Sequence, residues 1–165
     1  MSEIKQKIQN LKDTYFMQGG LSAELRKERL KQLKKVITAK ESLITKALLL
    51  DLGKSEFEAY VSEIGFILDE LNFVRKNLDD WMAPQRVSTP LPLLPGKSLV
   101  YSEPRGVVLV IAPWNYPFQL CLSPLIGAIA AGNRVVVKPS EIASQTAQVI
   151  REIIEDVFEE DEVAV

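Results

Sequence analysis

The 165-residue sequence contains no histidine and a single cysteine, Cys121. Within this chain, those two shortages exclude zinc fingers, Ser-His-Asp triads, Cys-His dyads and internal disulfides. No stretch approaches the roughly 18 consecutive apolar residues of a spanning helix. The first residues, Met1 to Lys12, alternate apolar side chains with lysines and lack the unbroken core of a signal peptide. A soluble, cytoplasmic protein is the expectation, with no membrane evident. Excess charge is missing too: 20 basic and 22 acidic residues leave a net charge of -2. Nothing in that balance calls for nucleic acid or an anionic membrane as partner. Internal repeats and low-complexity segments are also absent. What is plentiful is apolar content, 47% of a chain of one-domain size, enough for a sizeable core.

Residues 1–82 read as helices. Ile4, Ile8, Leu11 and Tyr15 line one helical face, which Gly19 and Gly20 end. Ser22 can cap a second run whose apolar stripe, from Leu25 through Leu33, Val36, Ile37, Ile44, Ala47 and Leu48, continues to Leu52 before Gly53 breaks it. Ser55 and Glu58 have capping-box spacing, and Phe57, Val61, Ile64, Leu68, Leu71, Leu78 and Trp81 then step along a third, long helix.

Residues 83–105 form a distinct segment. Pro84, Pro90, Pro92 and Pro95 fall between Ala83 and Gly96, and Pro104 lies just beyond, so no regular helix crosses it. Ser98 to Ser102 alternates weakly, as an edge strand would. From 106 to 165 the pattern changes again. Val107 to Ile111 is a largely β-branched run suited to a strand buried on both faces, and Val135 to Val137 is a second. Between them, Phe118 to Ala131 reads as an apolar helix that Pro124 is expected to kink. Ser144 to Phe158 supplies the next helix, and the chain then runs into an acidic tail. The fold class expected is α/β, with N-terminal helices packed on the first strands of a parallel sheet. Two parallel strands alone leave open edges and uncovered faces, so the isolated chain is expected to be incomplete and to oligomerise or aggregate.

In such sheets ligands bind beyond the carboxyl ends of the strands. After Ile111 comes Ala112-Pro113-Trp114-Asn115-Tyr116-Pro117, where prolines fix the backbone around an asparagine whose amide can donate to a developing oxyanion. The same residues also suit a structural turn packed by its aromatics. After Val137 comes Lys138-Pro139-Ser140-Glu141, which pairs a cation with a carboxylate, as a ligand site or as a solvated ion pair capping the last helix. On these grounds alone the chain is a ligand-binding α/β domain.

The run from Glu103 to Pro117, Glu-Pro-Arg-Gly-Val-Val-Leu-Val-Ile-Ala-Pro-Trp-Asn-Tyr-Pro, resembles the signature of aldehyde dehydrogenases. Ala128 to Asn133 (Ala-Ile-Ala-Ala-Gly-Asn) and Lys138 to Glu141 resemble further motifs of that family in the same order. Asp51-Leu52-Gly53-Lys54 and Glu58-Ala59-Tyr60 extend the likeness over nearly the whole chain, closest to the class-three branch. The resemblance implies the amino-terminal part of a three-part enzyme with a Rossmann-like cofactor domain, a catalytic domain and a bridging segment used in oligomerisation, here residues 83–105. It implies NAD(P)-dependent oxidation of an aldehyde to a carboxylic acid by a homo-oligomer, a dimer by analogy. In that chemistry a cysteine thiolate attacks the aldehyde, an asparagine amide holds the oxyanion, a hydride passes to nicotinamide, and a glutamate activates water. Asn115 matches the oxyanion asparagine. Lys138 and Glu141 match the residues that bond the adenosine ribose, Ser140 belongs to the same cofactor motif, and Ala112, Pro113 and Trp114 match the nicotinamide side of the cleft. A carboxylate at Glu141 favours NAD over NADP by repelling a ribose phosphate.

Departures from the family set limits. The contexts of its nucleophile, Gly-Gln-x-Cys, and of its base, Glu-Leu-Gly-Gly, do not occur, and Cys121 lies in an apolar helix as an inert thiol. A second glycine turn for the pyrophosphate is lacking as well, so weak cofactor affinity and no activity are expected of this chain alone. The other readings are a short non-catalytic homologue that binds a partner through its open sheet edge, and a nucleotide-binding module of unrelated function.

Overall fold

A computed structural model describes residues 3–165. Helix α1 (Glu3–Gln18) ends where Gly19 adopts φ 78° and donates its N–H to the Tyr15 carbonyl. Ser22 caps α2 (Ala23–Ala39), its Oγ accepting the Leu25 N–H at 3.2 Å. The stripe expected to run unbroken to Leu52 is interrupted at Lys40, after which α3 (Glu41–Leu52) begins. The bend lets both halves of the stripe lie against a later helix, α7 (Ser144–Val157). Lys40 ties the corner to that helix through Asp156 at 2.8 Å and Glu152 at 3.7 Å. Gly53, in the left-handed conformation, ends α3, and Ser55 Oγ accepts the Glu58 N–H to start the next helix.

That helix is long, as expected, and Ile64, Leu71 and Leu78 of its expected stripe are buried, but the stripe is not in the expected phase along its first turns. A wide π turn at Tyr60–Ile64 joins α4 (Glu56–Ala59) to α5 (Gly65–Met82). The wider turn changes which residues face inward. Phe57, Val61 and Trp81 are exposed, and the buried stripe is Ala59, Glu63, Ile67, Leu71, Val74 and Leu78, joined by Ile64.

In the proline-rich segment, β1 (Gln85–Val87) pairs antiparallel with β2 (Ser98–Val100), so the expected edge strand is one arm of a hairpin. The hairpin carries a short 3-10 turn at Leu91–Leu93 and leaves Leu91, Leu93, Leu94, Leu99 and Val100 exposed.

The parallel sheet runs in the order β3 (Val107–Ile111), β4 (Arg134–Lys138), β5 (Val163–Ala164), with α6 (Gln119–Ala130) and α7 as its connections. The acidic tail therefore leads into a third strand. Arg29 holds Glu162 by two bonds of 2.7 and 3.0 Å, Arg134 donates to the Asp161 carbonyl, and Val163 and Ala164 are buried. A second correction concerns β3, which is not buried on both faces. Strand side chains alternate between faces: Val110 is buried with Val135 and Val137, whereas Leu109 and Ile111 are 58% and 66% exposed. Helix α6 packs on the first face and is itself backed by α2 and α5; among the described residues, α1 meets the sheet from the other side.

Ala128 to Asn133 locks this crossover. Asn133 Oδ1 accepts the Gly106 N–H at 3.0 Å and its Nδ2 donates to the Ala128 carbonyl at 3.1 Å, fixing the start of β3 to the end of α6. Gly132 turns with φ 88°, and a Cβ there would meet the Arg26 guanidinium. Pro124 sits inside α6. No helix among the described residues is long and apolar enough to cross a membrane.

Candidate functional site

The two loops singled out in the sequence lie side by side. Ile111 and Lys138 are register partners at the carboxyl ends of β3 and β4, and Ala112 N–H donates to the Lys138 carbonyl at 3.0 Å, extending the ladder by one step. Ala112 and Pro117 are buried, whereas Pro113, Trp114, Asn115 and Tyr116 are exposed between them. Asn115 is therefore presented at the strand end with its backbone held on both sides.

Two groups not anticipated from the sequence hold it. Lys54 donates to the Asn115 carbonyl at 3.4 Å and lies 4.1 Å from the centroid of the Tyr116 ring. Glu63, fully buried, accepts from Lys54 and also from the Phe118 and Gln119 N–H groups, at 2.8 and 3.1 Å, at the start of α6. Glu63 is a carboxylate inside the buried stripe, at a position that the spacing of Phe57, Val61 and Ile64 passes over. In the sequence, Lys54 appears only as the last residue of the Asp51-Leu52-Gly53-Lys54 motif.

At the second loop, Lys138 Nζ and Glu141 Oε2 are 2.6 Å apart and both side chains are exposed. The hydrogen bond and charge of Lys138 hold the Glu141 carboxyl below its ordinary range, the bond being the larger cause. Ser140 is buried, and its Oγ accepts the Ile142 N–H at 3.3 Å, shaping the turn. The pair does not cap the last helix. Asp51 does so from α3, its Oδ1 and Oδ2 accepting the Gln145 and Thr146 N–H groups at 3.2 and 2.7 Å. With those donors occupied, the start of α7 is not a free anion site.

Beside this loop the exposed sheet face forms the floor of a cleft of about 860 Å³, lined by Ile8, Leu109, Val136, Lys138, Ser140 and Glu141 among others. An apolar floor with a donor and an acceptor at its rim suits a flat ring attached to a hydroxylated sugar. Cys121 stands apart, buried in α6, where desolvation pushes its thiol up to about 12. That shift disfavours the thiolate at neutral pH. No cluster of metal-ligating side chains occurs among the described residues.

The family model described as "Aldehyde dehydrogenase family" matches residues 2–164. The chain belongs to the aldehyde dehydrogenase family. It is 47% identical over 159 residues to 4,4'-diaponeurosporen-aldehyde dehydrogenase of Staphylococcus aureus, a match covering 96% of this chain and 35% of that protein. Aldehyde dehydrogenase family 3 member B1 of Bos taurus is 40% identical, over 93% of this chain and 33% of its own. A solved structure of Staphylococcus aureus AldH in its substrate-bound state superposes with a TM-score of 0.96 at 46% identity, covering all of this chain and 36% of that one. The likeness to class-three members agrees with the branch suggested by the motifs. This aldehyde dehydrogenase chain thus spans about a third of the length of the relatives it matches, and its fold, α/β with N-terminal helices on a parallel sheet, is the beginning of theirs. The family uses NAD(P).

Proposed function

We propose that the complete polypeptide carrying these residues oxidises an aldehyde to a carboxylic acid with NAD, and that Asn115 supplies the oxyanion donor. The observation that carries this reading is Asn115 presented between two prolines at the carboxyl end of β3, one strand away from the Lys138–Glu141 pair. When bound, the nicotinamide cofactor supplies the two-electron oxidant. Asn115 donates its amide N–H to the oxygen that becomes negative when the aldehyde carbon is attacked; a neutral, pre-positioned amide does this without a change of protonation. Lys138 would donate to the adenosine ribose and Glu141 would accept from it, while Ser140 keeps their turn in shape. Ala112, Pro113 and Trp114 would hold the nicotinamide side. The ionised Glu141 disfavours a ribose phosphate, which selects NAD over NADP.

In this reading the 165-residue chain alone is inactive, because its one thiol is buried and protonated. The active form is a cytoplasmic homodimer, supported by the exposed apolar hairpin of β1 and β2, a surface of the kind that associates. The test is Asn115→Ala in the complete polypeptide. Turnover should fall about a hundredfold or more, the scale of a lost oxyanion donor, with little change in NAD affinity. An undiminished turnover refutes the assignment.

A further inference from the structure

We propose that the buried Lys54–Glu63 ion pair is the positioning element for Asn115, a role that rests on the oxyanion reading above. Lys54 and Glu63 are 6% and 0% exposed, and among the described residues the bonds their side chains make beyond each other run to one short segment. Glu63 Oε1 accepts from Lys54 Nζ, while Oε2 accepts from Phe118 N–H at 2.8 Å and Gln119 N–H at 3.1 Å. Lys54 Nζ reaches the other end of that segment, the Asn115 carbonyl at 3.4 Å, and the face of Tyr116. Five consecutive residues, 115–119, are thus gripped at both ends by one pair. Only Pro117, which has no N–H, lies between the gripped groups.

A helix cap alone does not require this arrangement. An N-terminal cap is ordinarily a Ser, Thr, Asn or Asp at the helix's own start, whereas the cap position of α6 is Phe118 and the acceptor comes from another helix. Burying two charges is unfavourable unless both are fully bonded, and an apolar pair of equal size would pack the helices together at least as well. What an apolar pair cannot do is fix a carbonyl and two N–H groups in space. The π turn at Tyr60–Ile64 brings Glu63 inward among the core residues, and such turns collect at functional sites. Asn115 is exposed, so contacts of its own side chain do not determine where its amide points. The peptide anchored by Lys54 and Glu63 does. A displacement on the order of 1 Å at a reacting centre lowers rates by about a hundredfold.

The test uses the complete polypeptide with Glu63→Gln, with the neutral double variant Lys54→Met/Glu63→Gln, and with each combined with Asn115→Ala. The double variant keeps an amide oxygen for the start of α6 and leaves no charge buried, so it carries the test if Glu63→Gln fails to fold. Turnover should fall about tenfold to a hundredfold on the Asn115 background, while NAD affinity and the thermal midpoint of the double variant stay near those of the parent protein. In the Asn115→Ala background the same substitutions should have no further effect on turnover, because the group they position is gone. An equal fall in both backgrounds overturns the proposal and leaves the oxyanion reading standing, as does full turnover in the double variant. An Asn115→Ala enzyme with full turnover removes the oxyanion reading first and this proposal with it.

Discussion

Asn133→Ala isolates one hydrogen bond whose loss can be read locally. Asn133 is 4% exposed and joins the end of α6 to the start of β3. The Ala128 carbonyl keeps the bond from the Asn133 backbone N–H, at 3.0 Å, so little is lost on that side. The Gly106 N–H loses its acceptor and is left buried without a partner. An orphaned buried donor costs about 1–3 kcal/mol, and since about 1.4 kcal/mol is a factor of ten, the opening equilibrium at Gly106 should rise between roughly fivefold and roughly 140-fold. Hydrogen exchange on the complete polypeptide, read at the Gly106 amide, should accelerate by that factor. The Arg134 amide is the internal control, because it donates to the Gly106 carbonyl at 2.9 Å and touches no Asn133 side-chain atom. Equal acceleration at both amides would mean that the whole crossover had loosened. Unchanged exchange at Gly106 would refute the reasoning outright.

Asp51→Ala should lower stability by about 1–2 kcal/mol in urea unfolding, because it uncaps α7 from a neighbouring helix; an unmoved midpoint would show that water replaces the carboxylate without loss. Glu141 should titrate below its ordinary value of 4.5 when followed by carboxyl NMR, and Lys138→Met should bring it back up. Since the carboxyl is depressed in the folded protein, whatever the pair contributes is present above the ordinary range and is lost as pH falls through the depressed value. Cys121, with its thiol pushed up to about 12, should resist alkylation at neutral pH in the folded protein and react once it is unfolded in urea.

Much of this architecture was legible in residue order. Ser22, Gly53 and Ser55 mark helix ends by local chemistry that tertiary packing does not override, and the two valine-rich strands announce a parallel sheet. The errors arose where a longer-range cause competed with local pattern. Lys40 breaks a continuous apolar stripe because one helix, α7, has to be met from two directions. The π turn before Gly65 offsets α4 from α5, so Phe57 and Val61 fall at the surface and Glu63 in the core, while Ile64, Leu71 and Leu78 are buried as their spacing predicts. Strand β5 is two residues long and owes its place to Arg29 and Arg134, far away in sequence. β3 looks doubly buried because its residues are apolar on both faces, although one face is left open beside the cleft. At the site, Asn115, Lys138 and Glu141 stand out by motif. Lys54 belongs to a motif without a legible role and Glu63 to none, because their meaning lies in a contact across nine residues of chain and in backbone groups more than fifty residues further on.

The most direct test of the account is the reaction itself: an aldehyde and NAD supplied to the complete polypeptide purified from its source, with reduced nicotinamide and carboxylic acid measured together. The account predicts that the two products appear in equal amounts. A folded polypeptide that binds NAD yet forms neither product across a range of short and long aldehydes would contradict it.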